Sequence, residues 1–316
     1  MQTELESLIR WQAAGYKTAL ALVLATWGSA PRMVGSLMTI RADGTFEGSV
    51  SGGCVEGTVI AEAVNQMAKG GARQLCFKVS EEDAWSVGLA CGGEIQVGVL
   101  AITPDAMPAL TAALEARRNR QMGLLTFDFT DGSILFDAIS IANGTALPER
   151  PTLEGDRFLL PVRPKPRLDI IGAVHIAQTL APMASSCGYD VTVIDPRAAF
   201  IESRDFGDAN TVEDWPDDYF GVFAPDKETA VVALTHDPKL DDAALLAALH
   251  SPAFYIGALG SRKTHAARLE RLAGKGATDD SLTRIHGPVG LNIGAKTPAE
   301  IAISILAEIT QVRRAS

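Results

Sequence analysis

The chain has 316 residues, of which 47% are hydrophobic and 21% charged, and its formal net charge is −10. This is the composition of a globular protein long enough for two domains with full cores, and it excludes a disordered chain. The acidic balance argues against nucleic acid and anionic membrane surfaces as partners, so an anionic ligand needs a locally built site.

The opening MQTELESLIRWQ is an acidic amphipathic helix pattern without the basic start and apolar run of a signal peptide. Residues 19–25 read as a buried strand, in an apolar run too short to span a bilayer. Ala42-Asp43-Gly44, between strand patterns at 37–41 and 45–47, signals a hairpin. A helical pattern runs from 55 to 69 and stops at Gly70-Gly71, a suitable C-cap. Strands are expected at 74–79 and 95–102, a helix at 104–118, and a second hairpin over 124–129 and 134–136. Prolines at 148, 151, 161, 164 and 166 mark a linker with one short strand at 157–160. The acidic stretch 205–226 reads as a solvated loop.

Beyond Arg167 the pattern alternates: strands at 168–171, 191–194, 230–234 and 253–256, helices at 175–187, 238–250, 264–273 and 298–311. Such alternation predicts a parallel sheet with right-handed crossovers. Thr297-Pro298-Ala299-Glu300 is a capping box that starts the last helix. The expected fold class is therefore α/β: an N-terminal mixed α+β domain over 1–145, a linker over 146–166, and a Rossmann-like parallel-sheet domain over 167–316.

Two Cys/Gly elements carry the strongest chemical signal: Ser51-Gly52-Gly53-Cys54-Val55-Glu56-Gly57 and Cys91-Gly92-Gly93-Glu94. Each places a thiol beside flexible backbone whose N–H groups can converge on an anion. Cys54 precedes a helix, whose positive dipole end favours a thiolate able to bind a soft metal, carry sulfur or attack an electrophile. The plainer reading is a buried cysteine in a Gly-rich turn; two such cysteines tip the balance toward function. Four cysteines in all are too few for a disulfide scaffold, so Cys54 and Cys91 are expected as thiols in a reducing cytoplasm. Cys76, in a strand, and Cys187, late in a helix, read as core packing. Arg32, after Gly28-Ser29-Ala30-Pro31, is a candidate contact for an anion near Cys54.

Gly172-Ala173-Val174-His175-Ile176-Ala177 follows a strand and opens a helix, the context of a dinucleotide fingerprint, and Asp195 ends the next strand where a ribose-binding acid would sit. Val174, however, stands where a glycine normally lets the pyrophosphate approach. A nucleotide-like site with changed geometry and a Rossmann scaffold without a ligand both remain open. Gly260-Ser261-Arg262-Lys263 offers a second phosphate or carboxylate site at a helix start, with Ser261 and Arg262 as contacts. All five histidines follow residue 167 and none forms an HxH, HxxH or HExxH pair, so a mononuclear zinc site is not expected. His175 stands at the fingerprint turn and is the best functional candidate among them, with His286 next.

The strings TWGSAPR, SGGCVEG and CGGEIQV, together with IIGAVHIAQTLAPMA, VTVIDPR, GSRKTHAARLERL and HGPVGLNIGAKTPAEIAISILAEI, resemble the XdhC/CoxI family over nearly the whole chain, apart from about 105–165. These are accessory proteins of xanthine dehydrogenase and related molybdenum hydroxylases. The family form of the fingerprint turn has glycine at position 174, so this chain departs from it. The resemblance implies a chaperone that binds molybdenum cofactor, as molybdopterin or its dinucleotide form, and protects it. Such a chaperone supports sulfuration of the cofactor and inserts it into an apo hydroxylase of the xanthine oxidase type. It implies Cys54 and Cys91 as sulfur-transfer residues or molybdenum ligands. Ser51, Gly52, Gly53, Gly92, Gly93, Arg32, Gly172, His175, Asp195, Ser261 and Arg262 are the expected cofactor contacts. A cysteine desulfurase, a cofactor nucleotidyltransferase and a second copy of the chain are further expected partners. The competing reading is an NAD-dependent oxidoreductase, which the βαβ unit and Asp195 favour and Val174 opposes.

Overall fold

In the first unit, Met1–Pro164, the apolar run after residue 17 becomes the central strand of a sheet. The computed structural model describes residues 1–28, 32–78, 93–139 and 147–315. Strand β1 (Thr18–Gly28) pairs antiparallel with β2 (Leu37–Arg41) and β5 (Gly93–Ala101), and the sheet is completed by β3 (Phe46–Gly48) and β4 (Ala72–Lys78) in the order β3-β2-β1-β5-β4. The period-2 alternation of β1 gives both faces a core. Ala19, Ala21 and Val23 pack toward α2 (Glu56–Lys69), whose inner face carries Val59, Ala63 and Met67. Leu20, Leu22 and Leu24 pack on the other side with α1 (Gln2–Ala13), α3 (Met107–Arg118) and a second sheet.

That second sheet has the order β7-β6-β9-β8, formed by β6 (Gly123–Asp128), β7 (Ile134–Ala138), β8 (Thr152–Glu154) and β9 (Arg157–Val162). The stretch expected as a linker with one strand thus holds two, and β9 pairs along its length with β6. Its prolines misled: Pro161 lies beyond the end of β8, where β9 has a neighbour on one side only and an absent N–H is tolerated. At Gly98 of β5 a methyl group would lie 2.1 Å from Cζ of Phe129, so the ring packs flush against bare backbone.

The second unit, Lys165–Ser316, contains six parallel strands: β10 (Arg167–Ile171), β11 (Asp190–Ile194), β12 (Asn210–Val212), β13 (Thr229–Ala233), β14 (Tyr255–Ala258) and β15 (Ile285–His286). Their order, β12-β11-β10-β13-β14-β15, is the 3-2-1-4-5-6 order of dinucleotide-binding sheets. Helices α4 (His175–Ser186) and α10 (Pro298–Ala315) cover one face, with Leu180, Ala184, Ile305 and Ile309 in the core. Helices α6 (Pro216–Val222), α7 (Pro238–Leu249) and α8 (Arg262–Gly274) cover the other. Short helices α5 (Ala198–Glu202) and α9 (Asp279–Leu282) complete the unit. At the start of α10 the expected capping box forms: Thr297 N–H donates to Glu300 Oε2 at 2.9 Å, and Glu300 N–H to Thr297 Oγ1 at 3.3 Å.

Three expectations need correction. The acidic stretch 205–226 is not loop throughout, because it contains β12 and α6, anchored by Tyr219 and Phe220. The strand expected at 253–256 lies two residues later. Cys76 and Cys187 are both exposed rather than core residues. Among the described residues no helix is long and apolar enough to cross a membrane.

Candidate functional site

The Ser51–Glu56 loop folds around its own acid. One carboxylate oxygen of Glu56, Oε1, accepts from Ser49 Oγ at 2.6 Å and from the N–H groups of Val50, Ser51 and Gly52 at 3.2, 2.9 and 3.1 Å. The other, Oε2, accepts from Ser51 Oγ at 2.5 Å and Gly53 N–H at 2.9 Å. Successive N–H groups converge in this way because Gly52 and Gly53 take φ of 87° and 124°, a region that L side chains avoid. Burial alone would raise the Glu56 carboxyl, but the hydroxyls of Ser49 and Ser51 and the N–H bonds outweigh it and hold it down to about 2. The loop's N–H groups were expected to receive an external anion; they are instead committed to this internal one.

Cys54 rides on that loop. Its N–H and that of Val55 donate to Ser51 Oγ at 3.0 Å each, so the hydroxyl that gives its proton to Glu56 fixes the backbone of the cysteine. Cys54 is half-buried against the cluster of Val55, Val59 and Ile95 and stands two residues before α2. Arg32 lies against the same loop, with Nε donating to Ser49 O at 3.0 Å. The structure therefore brings Arg32, Ser51, Gly52, Gly53 and Cys54 together. Gly93 opens β5 opposite Gly28, whereas Cys91 and Gly92, and with them the expectation that Cys91 shares a cleft with Cys54, lie outside the described residues. Among the described residues no group of three or more His, Cys, Asp or Glu is arranged to hold a metal ion.

In the second unit the fingerprint turn is closed by its neighbours. Gly172 has φ of 107°, and a methyl group there would lie 2.4 Å from Thr235 Cγ2. Val174 N–H folds back to Gly172 O at 2.9 Å. Asp195 is fully buried and its oxygens are taken: Oδ1 by N–H and Nε of Arg197 at 3.0 and 2.8 Å, Oδ2 by Arg197 Nη2 at 2.7 Å and Ala173 N–H at 2.9 Å. Burial would raise this carboxyl, but the Arg197 guanidinium and the two N–H bonds hold it below its usual value. Arg204 caps Ala173 O from the other side. Asp195 was expected to bind a ribose; it is a structural anchor whose acceptors are used within the turn. His175 is exposed and its Nδ1 lies 3.2 Å from Gln178 Oε1.

Ser261 caps α8, accepting from Thr264 N–H at 3.1 Å, with Arg262 exposed beside it. Ser261 and Arg262 share the turn after β14, whereas Gly172, His175 and Asp195 lie after β10 and β11. His286 stacks on Tyr255 with ring centroids 4.6 Å apart, beside Glu308, which accepts from Tyr255 Oη at 2.5 Å.

Sequence reading assigned no role to Glu56, Arg197 or Arg268. The first had a usable signal: an acid three residues after Gly53 can reach back to its N–H as in a capping box. Arg197 stands two residues after Asp195, but nothing in the sequence says that it takes that carboxylate; Arg268 had no signal, because Asp241, 27 residues away, is brought to it by tertiary packing.

Comparison with known proteins places the chain. Residues 11–78 match the XdhC and CoxI family, and residues 168–309 match the XdhC Rossmann domain. The molybdenum cofactor insertion chaperone PaoD of Escherichia coli is 30% identical over 301 residues, 95% of this chain and 85% of that protein. A probable xanthine dehydrogenase component of Bacillus subtilis is 30% identical across 99% of this chain and 97% of that protein. The crystal structure of a xanthine dehydrogenase from Bacillus halodurans superposes with a TM-score of 0.79 at 27% identity, covering 99% of this chain and 96% of that one.

Proposed function

The chain belongs to the XdhC and CoxI family, and from that premise we propose that it is a molybdenum cofactor insertion chaperone for a hydroxylase of the xanthine dehydrogenase type. The cofactor is cargo: held, shielded and handed to the apo enzyme. The observation that carries the reading is Cys54, presented half-buried on a loop locked by the Glu56 carboxylate, within the family-matched segment. A thiol is a soft donor suited to molybdenum and able to carry sulfur. Cys54 Sγ has no hydrogen-bond partner among the described residues, and Arg32 uses only Nε on the loop, so its two terminal nitrogens remain for an anionic group of the cargo.

The finer features belong to the same proposal. Cys54 acts with Cys91, and the two thiols would hold the molybdenum of the cargo and support its sulfuration, with a cysteine desulfurase as a further partner. The cargo is molybdopterin or its dinucleotide form. A nicotinamide oxidoreductase reading has against it both Val174 and the committed Asp195 carboxylate.

The deciding experiment is to purify the protein from a molybdate-fed host and measure molybdenum per chain, pterin fluorescence and the mass of the released small molecule. Stoichiometric molybdenum with a pterin, lost in Cys54→Ser, is the expected result. A protein free of both under those conditions would overturn the reading.

A further inference from the structure

We propose that the turn joining β14 to α8 is a binding site for a phosphate or pyrophosphate group, and that this turn, not the fingerprint turn, receives the phosphorylated end of a ligand in the second unit. The inference goes beyond the molybdenum reading, because any phosphomonoester or diphosphate would satisfy it.

The turn is built for close approach. Gly260 has φ of +143°, and a methyl group on it would lie 3.2 Å from Thr264 Cβ and Cγ2. Ser261 uses its hydroxyl to cap Thr264 N–H, which leaves the N–H groups of Arg262 and Lys263 without acceptors among the described residues. They open a 13-residue helix, so its positive dipole end is directed outward. The side chains of Arg262 and Lys263 are exposed and enter no ion pair among the described residues.

A second observation lies beneath the turn. Arg268 is 1% exposed. Its Nη2 donates to Leu259 O at 2.7 Å, the carbonyl immediately before Gly260, and would lie 3.8 Å from a methyl on Gly260. Among the described residues its Nε and Nη1 have no hydrogen-bond partner, and the acid it pairs with, Asp241, is reached only at 3.5 Å. Burial pushes the Asp241 carboxyl up and the Arg268 guanidinium down, so each charge is poorly compensated by the other. One helical turn away, His265 Nδ1 is also buried without a hydrogen-bond partner among the described residues. An under-compensated buried cation directly under a turn with open N–H groups favours an anion above it. At the fingerprint turn Ala173 N–H is spent on Asp195 and Val174 N–H on Gly172 O, and the first turn of α4, His175 to Gln178, carries no arginine or lysine to hold an anion.

The test is calorimetric titration of the full chain with inorganic pyrophosphate and, separately, with ADP, CDP and GDP. The wild type, an Arg262→Ala/Lys263→Ala double variant, Arg268→Met and Arg268→Lys are compared, with circular dichroism to confirm folding. The expected result is binding that weakens about tenfold or more in the surface double variant and falls with added salt. Tighter binding of one nucleoside diphosphate than of pyrophosphate identifies a nucleotide ligand; equal binding identifies a terminal phosphate. If Arg268→Met does not fold, the surface double variant decides alone. No binding of any probe at millimolar concentration, or affinity unchanged in the double variant, would overturn the proposal. Molybdenum per chain, measured on the same variants and on Cys54→Ser, separates the two readings: loss of metal with intact pyrophosphate binding touches only the first unit.

Discussion

Ser51 Oγ lies 2.5 Å from Glu56 Oε2 and 3.0 Å from the N–H groups of both Cys54 and Val55. The carboxylate can only accept, so the hydroxyl must give it the proton, and its lone pairs are then directed at the two N–H groups. A buried charge thereby sets the backbone of the candidate functional cysteine through one intervening atom.

Glu56→Gln is expected to destabilise the first unit by roughly 2–4 kcal/mol, because an amide cannot accept at both ends and leaves buried donors facing its NH2. Urea denaturation gives the difference. Its pH dependence has a definite sign. Glu56 titrates in the folded state at about 2, below its ordinary 4.5, so its contribution is full above roughly pH 5 and is lost as the pH falls toward 2. The gap between wild type and Glu56→Gln should therefore be level near neutrality and shrink through that acid window. A gap independent of pH would mean that the group is not ionised.

Cys54→Ser should reduce molybdenum retention strongly, whereas Cys76→Ser should leave it near the wild-type level. Cys76 is exposed, but its Sγ donates to Glu94 Oε1 at 2.9 Å, and that acceptor pushes the thiol above its ordinary value. It is thus held in the protonated, weakly coordinating form. Metal analysis of the two variants after identical purification checks this. Equal retention would assign Cys54 a structural role.

Gly98→Ala should cost about 1–3 kcal/mol, since the new methyl would fall 2.1 Å from Phe129 Cζ in a packed core. Combining it with Phe129→Leu should recover part of the loss. Thermal melts of the single and double variants measure the coupling, and additive losses would show that the ring is free to move aside.

The elements with a strong pattern were legible: the apolar run of β1, the helix after Cys54 and the parallel strands beyond Arg167 stand within a few residues of their expected places. Short elements were not. β12 and β15 are three and two residues long and are fixed by neighbours in the sheet rather than by their own pattern. Pro161 shortened the expected strand to 157–160, whereas β9 runs on to Val162, because the sequence does not say that the strand lacks a second neighbour there; the three-residue β8 was missed. At the candidate site, Cys54 and its glycines were visible as types in a pattern. The use of Glu56 to fill the loop was not drawn from them, since convergence of five residues on one carboxylate is a property of the folded turn. Asp195 shows the opposite failure. Its position matched a ribose ligand, but Arg197, two residues on, takes both of its oxygens.

That last contact changes what a single substitution at the fingerprint turn can do. Val174→Gly removes the side chain expected from the sequence to crowd a pyrophosphate, yet Asp195 would still be bound by Arg197 Nε, Nη2 and N–H and by Ala173 N–H. The single variant is therefore expected to bind NAD no better than the wild type. Removing the guanidinium as well, in Val174→Gly/Arg197→Ala, frees acceptor capacity on Asp195 for a ribose hydroxyl. It also strips a buried carboxylate of its counter-charge, so the double variant should melt at a lower temperature. Calorimetric titration with NAD is expected to detect binding only in the double variant, with at least a tenfold gain in affinity over the single one, or about 1.4 kcal/mol. Tight binding by the wild type would show that neither Val174 nor the Asp195–Arg197 pair closes the site. A gain in Val174→Gly alone would assign the obstruction to the side chain and leave the ion pair without effect.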